Sequence, residues 1–351
     1  MNILIIRFRQ IGDSVLGLGL CTTLKRTFPD AQIHYVLNKG IAPVYQYHPD
    51  VDRVITFDKE ENASWKAYVK KVWKVVHDTK YDAIIDMRST PRTLLFSLLS
   101  LHTPYRIGRK KWYAHGLLNY LVDTYREESQ ASMLERNLWL AEPFEKVADV
   151  KYTDEFRLYT TKEEREKYRA YMESMGIDFS KPVMLAGVTT KLEHKCYPED
   201  YMIEVLKAFM EKHPDWQLVF NYAPGKEEEN ARKIYHSLGC PEQVKIDLQA
   251  NSLRALMLLC ELSSFYFGNE GGARHIAQAM GTPSCAIFSP SAQKSMWLPI
   301  NDIPAVGISC EDVLSPEELG KLSPEECYRK ITPELVLKVL EGCLSKKLES
   351  R

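Results

Sequence analysis

The stretch Gly268-Asn269-Glu270-Gly271-Gly272-Ala273-Arg274-His275 has the composition of an anion site. It follows the apolar run Phe265-Tyr266-Phe267, and behind it Ile276, Ala277, Ala279 and Met280 recur at helical spacing until Gly281 and Pro283 stop the helix. Ser284 to Phe288 then reads as another strand. In the order strand, glycine loop, helix, strand, adjacent glycines let backbone amides approach a ligand, and the helix start offers unpaired N–H groups to a phosphate. A plain tight turn between strand and helix is the other reading. Neither Gly-x-Gly-x-x-Gly nor a Gly-Lys-Ser/Thr ending is present.

Other segments place polar chemistry after apolar runs. Val183 to Gly187 leads into Thr189, Thr190, Lys191 and Lys195, hydroxyls and ammonium groups that suit a diphosphate, although solvated lysines are common in loops. Glu227, Glu228 and Glu229 open a helix after the strand ending at Phe220. A carboxylate there could take two ribose hydroxyls, but the helix dipole favours acids in a first turn in any case. Near the N-terminus, Asn2 to Arg7 is a strand-like run followed by Gly12, Asp13 and Ser14 at the start of a helix running from Val15 to Arg26. Asp13 is either a helix cap or a group at the edge of a crevice. Arg88 follows the strand Ala83 to Asp86 in the same way. Arg109, Lys110 and Lys111, with Trp112 and Tyr113, read as a solvated loop or as a contact for an anionic partner such as a phosphorylated glycolipid.

The elements that must carry these groups alternate. Strands at Gln32–Leu37, Arg53–Phe57, Ala83–Asp86 and Tyr105–Gly108 are separated by helices at Ser64–His77 and Leu94–Leu101. A second series begins at Pro182, with strands near 183–187, 216–220 and 244–246 and helices near 198–212, 227–238 and 253–260. Alternation of this kind makes open parallel sheets, whose ligand crevices lie beyond the strand C-termini. The expected class is α/β: two doubly wound Rossmann-like domains facing across a cleft, at 1–178 and 179–331, with a closing helix at 332–351.

The 351 residues carry 46 basic and 47 acidic side chains, a balance that argues against a nucleic-acid-coating protein, so no nucleic acid is expected as a partner. Eight cysteines without a Cys-x-x-Cys pair read as small core residues of a reducing compartment. No signal peptide or membrane-spanning run is apparent, so a cytoplasmic protein is expected, or one peripheral at the inner face of a membrane.

Taken together, these segments resemble the heptosyltransferase family, inverting glycosyltransferases of lipopolysaccharide core synthesis with the GT-B fold. The carriers are Ile11-Gly12-Asp13, Thr189-Thr190 with Lys195 before Pro198, the Glu227 to Glu229 helix start, and the Gly271 to His275 loop with Ala277, Gly281 and Pro283. The resemblance implies that Asp13 is the base for the acceptor hydroxyl and that Gly12 lets the acceptor approach. It implies further that Thr189, Thr190 and Lys195 hold the donor diphosphate, that Glu227 or a neighbour holds the ribose, and that Asn269, Glu270, Gly271, Gly272 and His275 face the donor sugar and phosphate. Arg88 and Arg109 to Lys111 fall in the half expected to bind acceptor. The implied partners are a nucleotide-diphosphate sugar, ADP-heptose first, and a glycolipid or oligosaccharide acceptor, with peripheral contact at the inner membrane.

No cofactor or metal is expected: Asp50-Val51-Asp52 matches Asp-x-Asp in letters but sits in a turn after Pro49. The family pattern has Asp-Thr-Gly or Asp-Ser-Gly where this chain has Asn269-Glu270-Gly271, His275 falls one residue late, and Cys196-Tyr197 stands in a Lys-x-Trp-Pro motif. Competing readings are a sugar-nucleotide epimerase or hydrolase of the same fold and a non-catalytic glycolipid-binding relative.

Overall fold

The apolar run behind Met1 becomes β1 (Asn2–Ile6), buried on both faces as a central parallel strand must be. The computed structural model describes residues 1–8, 10–126 and 130–349. It divides at Tyr159/Thr160 into two units, each built on its own sheet.

In the first unit, β1 is joined by β2 (Gln32–Asn38), β3 (Arg53–Phe57), β4 (Ala83–Asp86), β5 (Tyr105–Arg109) and β6 (Tyr120–Val122). They pair in parallel in the order β3-β2-β1-β4-β5-β6. The second unit carries β7 (Val183–Gly187), β8 (Gln217–Phe220), β9 (Phe265–Asn269), β10 (Ser284–Ile287) and β11 (Ala305–Ile308), also parallel, in the order β11-β10-β9-β7-β8. Each order reverses direction once, between β1 and β4 and between β7 and β9. Those reversals are where an open α/β sheet leaves a crevice at its carboxyl edge. The cores are separate: Leu4, Ile6, Val36, Phe57, Tyr68 and Ile84 belong to one, Met184, Leu206, Phe220, Phe267 and Ile287 to the other.

Several elements differ from the sequence expectation. The helix after β1 is broken into Ile11–Val15 and Leu18–Thr27. Tyr35 on β2 donates its hydroxyl to the Ser14 carbonyl at 2.9 Å, taking an acceptor the helix would otherwise use. A Cβ on Gly17 would lie 2.2 Å from that hydroxyl, so the glycine permits the intrusion. Leu94–Leu101 shrinks to a turn at Leu95–Leu98, and Val244 makes only an isolated bridge to Leu218.

The expected boundary at 178/179 lies nearer the N-terminus, because the Lys162–Ser174 helix belongs to the second unit. Two of its charged side chains tie it there: Glu164 pairs with Arg254 and Arg165 with Glu261 at 2.8 Å. The Pro333–Glu349 helix is not a separate piece either, since Val336, Leu340 and Cys343 enter the second core. Asp50 accepts from Thr22 at 2.8 Å, and Asp52 pairs with Lys25 at 3.0 Å. Among the described residues no helix is long and apolar enough to cross a membrane.

Candidate functional site

At the reversal in the first sheet, Arg7 follows β1 directly and is 3% exposed. It donates from Nη2 to Asp13 Oδ1 at 2.7 Å and from Nη1 to the Met87 carbonyl at 3.2 Å. Asp13 stands in the first turn of its helix, next to the buried Gly12. The cap position, Gln10, makes no side-chain cap. The capping alternative therefore fails: the carboxylate is fixed by a buried guanidinium instead. Its side chain is 15% exposed, and Oδ2 has no hydrogen-bond partner among the described residues.

Arg109 ends β5 and is buried, so of the two readings of its cluster the solvated loop does not hold for this residue. It donates to the Tyr125 hydroxyl and to Asn137 Oδ1, each at 3.1 Å. Burial and the positive charge of Arg7 push its pKa down to about 10, against the pull of Tyr125 and Asp13. Lys110 remains exposed, 3.7 Å from Asp123, and Lys111 lies 5.8 Å from the Tyr125 ring. The structure thus splits the basic cluster, one member inside and two at the surface.

Arg88 donates from Nη1 to the Phe8 carbonyl at 2.7 Å, while its own N–H and that of Ser89 donate to Asp86 Oδ1. Ser89 is held at φ 49°, a left-handed conformation that costs a non-glycine residue about 1–3 kcal/mol and is concentrated at functional sites. Beside it opens a cavity of about 880 Å³ lined by Gln10, Lys39, Lys59, Arg88 and Arg92 among others. A pocket of this size and basicity fits an anionic ligand.

At the reversal in the second sheet, β7 and β9 approach closely through Gly187 and Gly268. A Cβ on Gly268 would meet the Gly187 carbonyl oxygen at 2.3 Å, and its φ is 144°. Asn269, the last residue of β9, is fully committed: Nδ2 donates to the Gly187 carbonyl at 3.0 Å and Oδ1 accepts from the Tyr197 N–H at 2.7 Å. Its amide therefore positions the Thr189–Tyr197 loop, and it is the next residue that offers a charge.

Glu270 is buried, with Oε1 3.5 Å from His275 Nε2. Arg274, fully buried, donates from Nη2 toward His275 Nδ1 at 2.7 Å, to the Trp297 carbonyl at 2.6 Å, and from Nη1 to Gln278 at 2.9 Å. The same Nη2 lies 3.1 Å from His275 Nε2, the ring nitrogen that faces Glu270. Burial works to raise the Glu270 pKa, but the hydrogen bond from His275 and the charges of His275, Arg274 and Lys195 outweigh it and hold the group below the usual carboxylate range. Burial lowers Arg274 to about 10, opposed by Glu270.

This contact also accounts for the two departures in the loop. Moving the motif on by one residue sets Glu270-Gly271-Gly272 against Asp-Thr-Gly. The acidic position is then kept as a carboxylate, and His275 falls in register.

Gly272 opens the Gly272–Ala279 helix; nothing lies within 4 Å of a Cβ placed on Gly271, Gly271 to Ala273 are half-buried, and the Arg274 N–H donates to the Gly271 carbonyl at 3.2 Å. The Thr189 hydroxyl is buried with no hydrogen-bond partner among the described residues, whereas Thr190 turns its hydroxyl back onto the Leu192 carbonyl at 2.8 Å. Lys195 is half-buried in the same loop, near enough to Glu270 for its charge to act there.

Beyond β8, a cavity of about 560 Å³ is lined by Tyr222, Glu227, Glu228, Arg232, Asp247 and Leu256 among others. An uncommitted carboxylate at one reversal and an anion cradle beside a nucleoside-sized cavity at the other suit proton removal and diphosphate binding. Sequence reasoning missed Arg7 and Arg274. Arg7 was visible as a charge directly behind an apolar strand, the position that points into a crevice.

The family model of glycosyltransferase family 9 (heptosyltransferase) matches residues 69–328. The chain is 21% identical to lipopolysaccharide heptosyltransferase 1 of Campylobacter coli over 348 residues, covering 97% of this chain and 98% of that protein. Among solved structures, a family 9 glycosyl transferase from Veillonella parvula aligns with TM-score 0.83 at 17% identity, covering 98% of this chain and 97% of that one. E. coli ADP-heptose lipopolysaccharide heptosyltransferase II aligns with TM-score 0.75 at 20% identity, covering 99% of each chain. Structural likeness at these identities speaks for the fold, GT-B.

Proposed function

The chain belongs to glycosyltransferase family 9, the heptosyltransferases, and from that premise we propose that it moves a heptose from ADP-heptose to a lipopolysaccharide-core acceptor, with inversion and without a metal. The observation that carries the reading is Asp13, oriented by buried Arg7 and left with one open oxygen at the reversal of the first sheet. The acceptor, a glycolipid or its oligosaccharide, binds in the first unit. Arg88 and the lysines lining the basic cavity meet its negative groups there, with Arg109 buried nearby and Lys110 and Lys111 at the surface.

Asp13 Oδ2 takes the proton of the attacking hydroxyl as its oxygen bonds to the anomeric carbon from the face opposite the diphosphate. The bond from that carbon to the diphosphate oxygen breaks, and the electron pair leaves with ADP. Lys195, the Thr189 hydroxyl and the N-terminus of the Gly272–Ala279 helix receive the developing charge, which removes the chemical need for a cation. Glu270, fixed by His275, faces the sugar, and Glu227 takes the ribose. On this reading the enzyme works on the cytoplasmic side, where its acceptor is held at the inner membrane.

Asparagine has nearly the size of aspartate but cannot take the proton. Asp13→Asn should therefore keep the parent's affinity for ADP and lose about a hundredfold or more in transfer rate. Transfer at the parent rate would place the base elsewhere.

A further inference from the structure

The Trp65–Asp78 helix carries a second face that the core does not use. Tyr68, Val72, Val75 and Val76 pack inward. Trp65 and Trp73, at i and i+8, are 60% and 53% exposed, and with Val69 between them they form one stripe. Lys66 and Lys70 flank the stripe and line with it a shallow groove of about 460 Å³. Lys71 pairs with Glu61 and Lys74 with Asp78, but Lys66 and Lys70 make no ion pair among the described residues.

Two exposed indoles in line are costly in water, and surface patches of this kind mark interaction sites. Indoles beside unpaired lysines match the boundary of an anionic bilayer, where the ring sits at headgroup level and the ammonium meets phosphate. Placement supports this as well. Ser64 caps the helix through the Ala67 N–H, and the two residues before it, Asn62 and Ala63, line the 880 Å³ basic cavity.

We propose that this helix docks the protein on an anionic phospholipid surface through Trp65, Val69 and Trp73, with Lys66 and Lys70 on the headgroups, so that the basic cavity meets the layer in which a lipid-linked acceptor is anchored. The inference rests on the transferase reading only for the reason a membrane is near. Vesicle binding is measured without turnover, so failure of one is distinguishable from failure of the other.

The test is co-sedimentation with vesicles of phosphatidylcholine alone and of equal parts phosphatidylcholine and phosphatidylglycerol. The parent should pellet with the mixed vesicles and not with the neutral ones. Lys66→Glu/Lys70→Glu should weaken that binding about tenfold or more. Trp65→Ala/Trp73→Ala should weaken it comparably. Both variants should keep the parent's melting temperature and its transfer rate to a delipidated, water-soluble acceptor. A parent that ignores mixed vesicles, or variants that pellet like the parent, would overturn the proposal. So would light scattering that shows a parent dimer dissolved by Trp65→Ala/Trp73→Ala, which would make a second copy of the chain the occupant.

Discussion

Glu228 spends its carboxylate on Arg232 Nε at 3.0 Å, and Arg232 reaches Asp247 at the same distance. Glu227, one position earlier in the same first turn, has no side-chain partner among the described residues and faces the 560 Å³ cavity. The two residues are alike in sequence but not in what they can offer a ligand. A hydrogen bond to a charged acceptor contributes about 1.5–3 kcal/mol, so Glu227→Gln should weaken ADP binding by roughly 10- to 100-fold in calorimetry. Glu228→Gln loses only a surface pair and should stay within about threefold. Equal losses in the two variants would remove Glu227 from the ribose. The sequence could list three acids at a helix start but could not rank them, because the ranking depends on Arg232 and on Asp247 beyond the next turn. The same limit hid Arg7: the bond that gives Asp13 its orientation is visible only once β1 and the following turn have folded.

Glycines show how differently one residue type serves different elements. Gly268 on β9 combines a φ of 144° with a backbone neighbour at 2.3 Å from its would-be Cβ, whereas nothing lies within 4 Å at Gly342 in the Pro333–Glu349 helix. Gly268→Ala should cost about 2–4 kcal/mol through strain and displacement of β7. Gly342→Ala should gain about 0.5–1 kcal/mol from helix propensity. Denaturant midpoints read both, and a shared sign would contradict the close packing of β7 on β9. The strands that bear the chemistry were legible because continuous apolar runs have few other readings. β7 matches its expected span, and β9 extends two residues past it. The broken helix at Gly17 was not legible, since its cause is a tyrosine on another strand. Nor was the place of the Lys162–Ser174 helix, whose exposed-looking charges turn out to be paired with Arg254 and Glu261.

On the scale of the molecule, each unit closes its own sheet over its own core, and every group assigned to the donor lies in the second. A fragment spanning 160–351 should therefore unfold cooperatively and bind ADP within a few-fold of the whole chain, a tolerance well under 1.4 kcal/mol. It should transfer nothing, lacking Asp13. A fragment that aggregates, or that folds without binding ADP, would mean that the first unit completes the donor site. The seam between the units falls in the stretch from Lys151 to Thr161, which contains no helix and no strand. A genetic crossover there cuts through no hydrogen-bonded element. Recombination at that point exchanges one unit for another with each sheet and each core left whole.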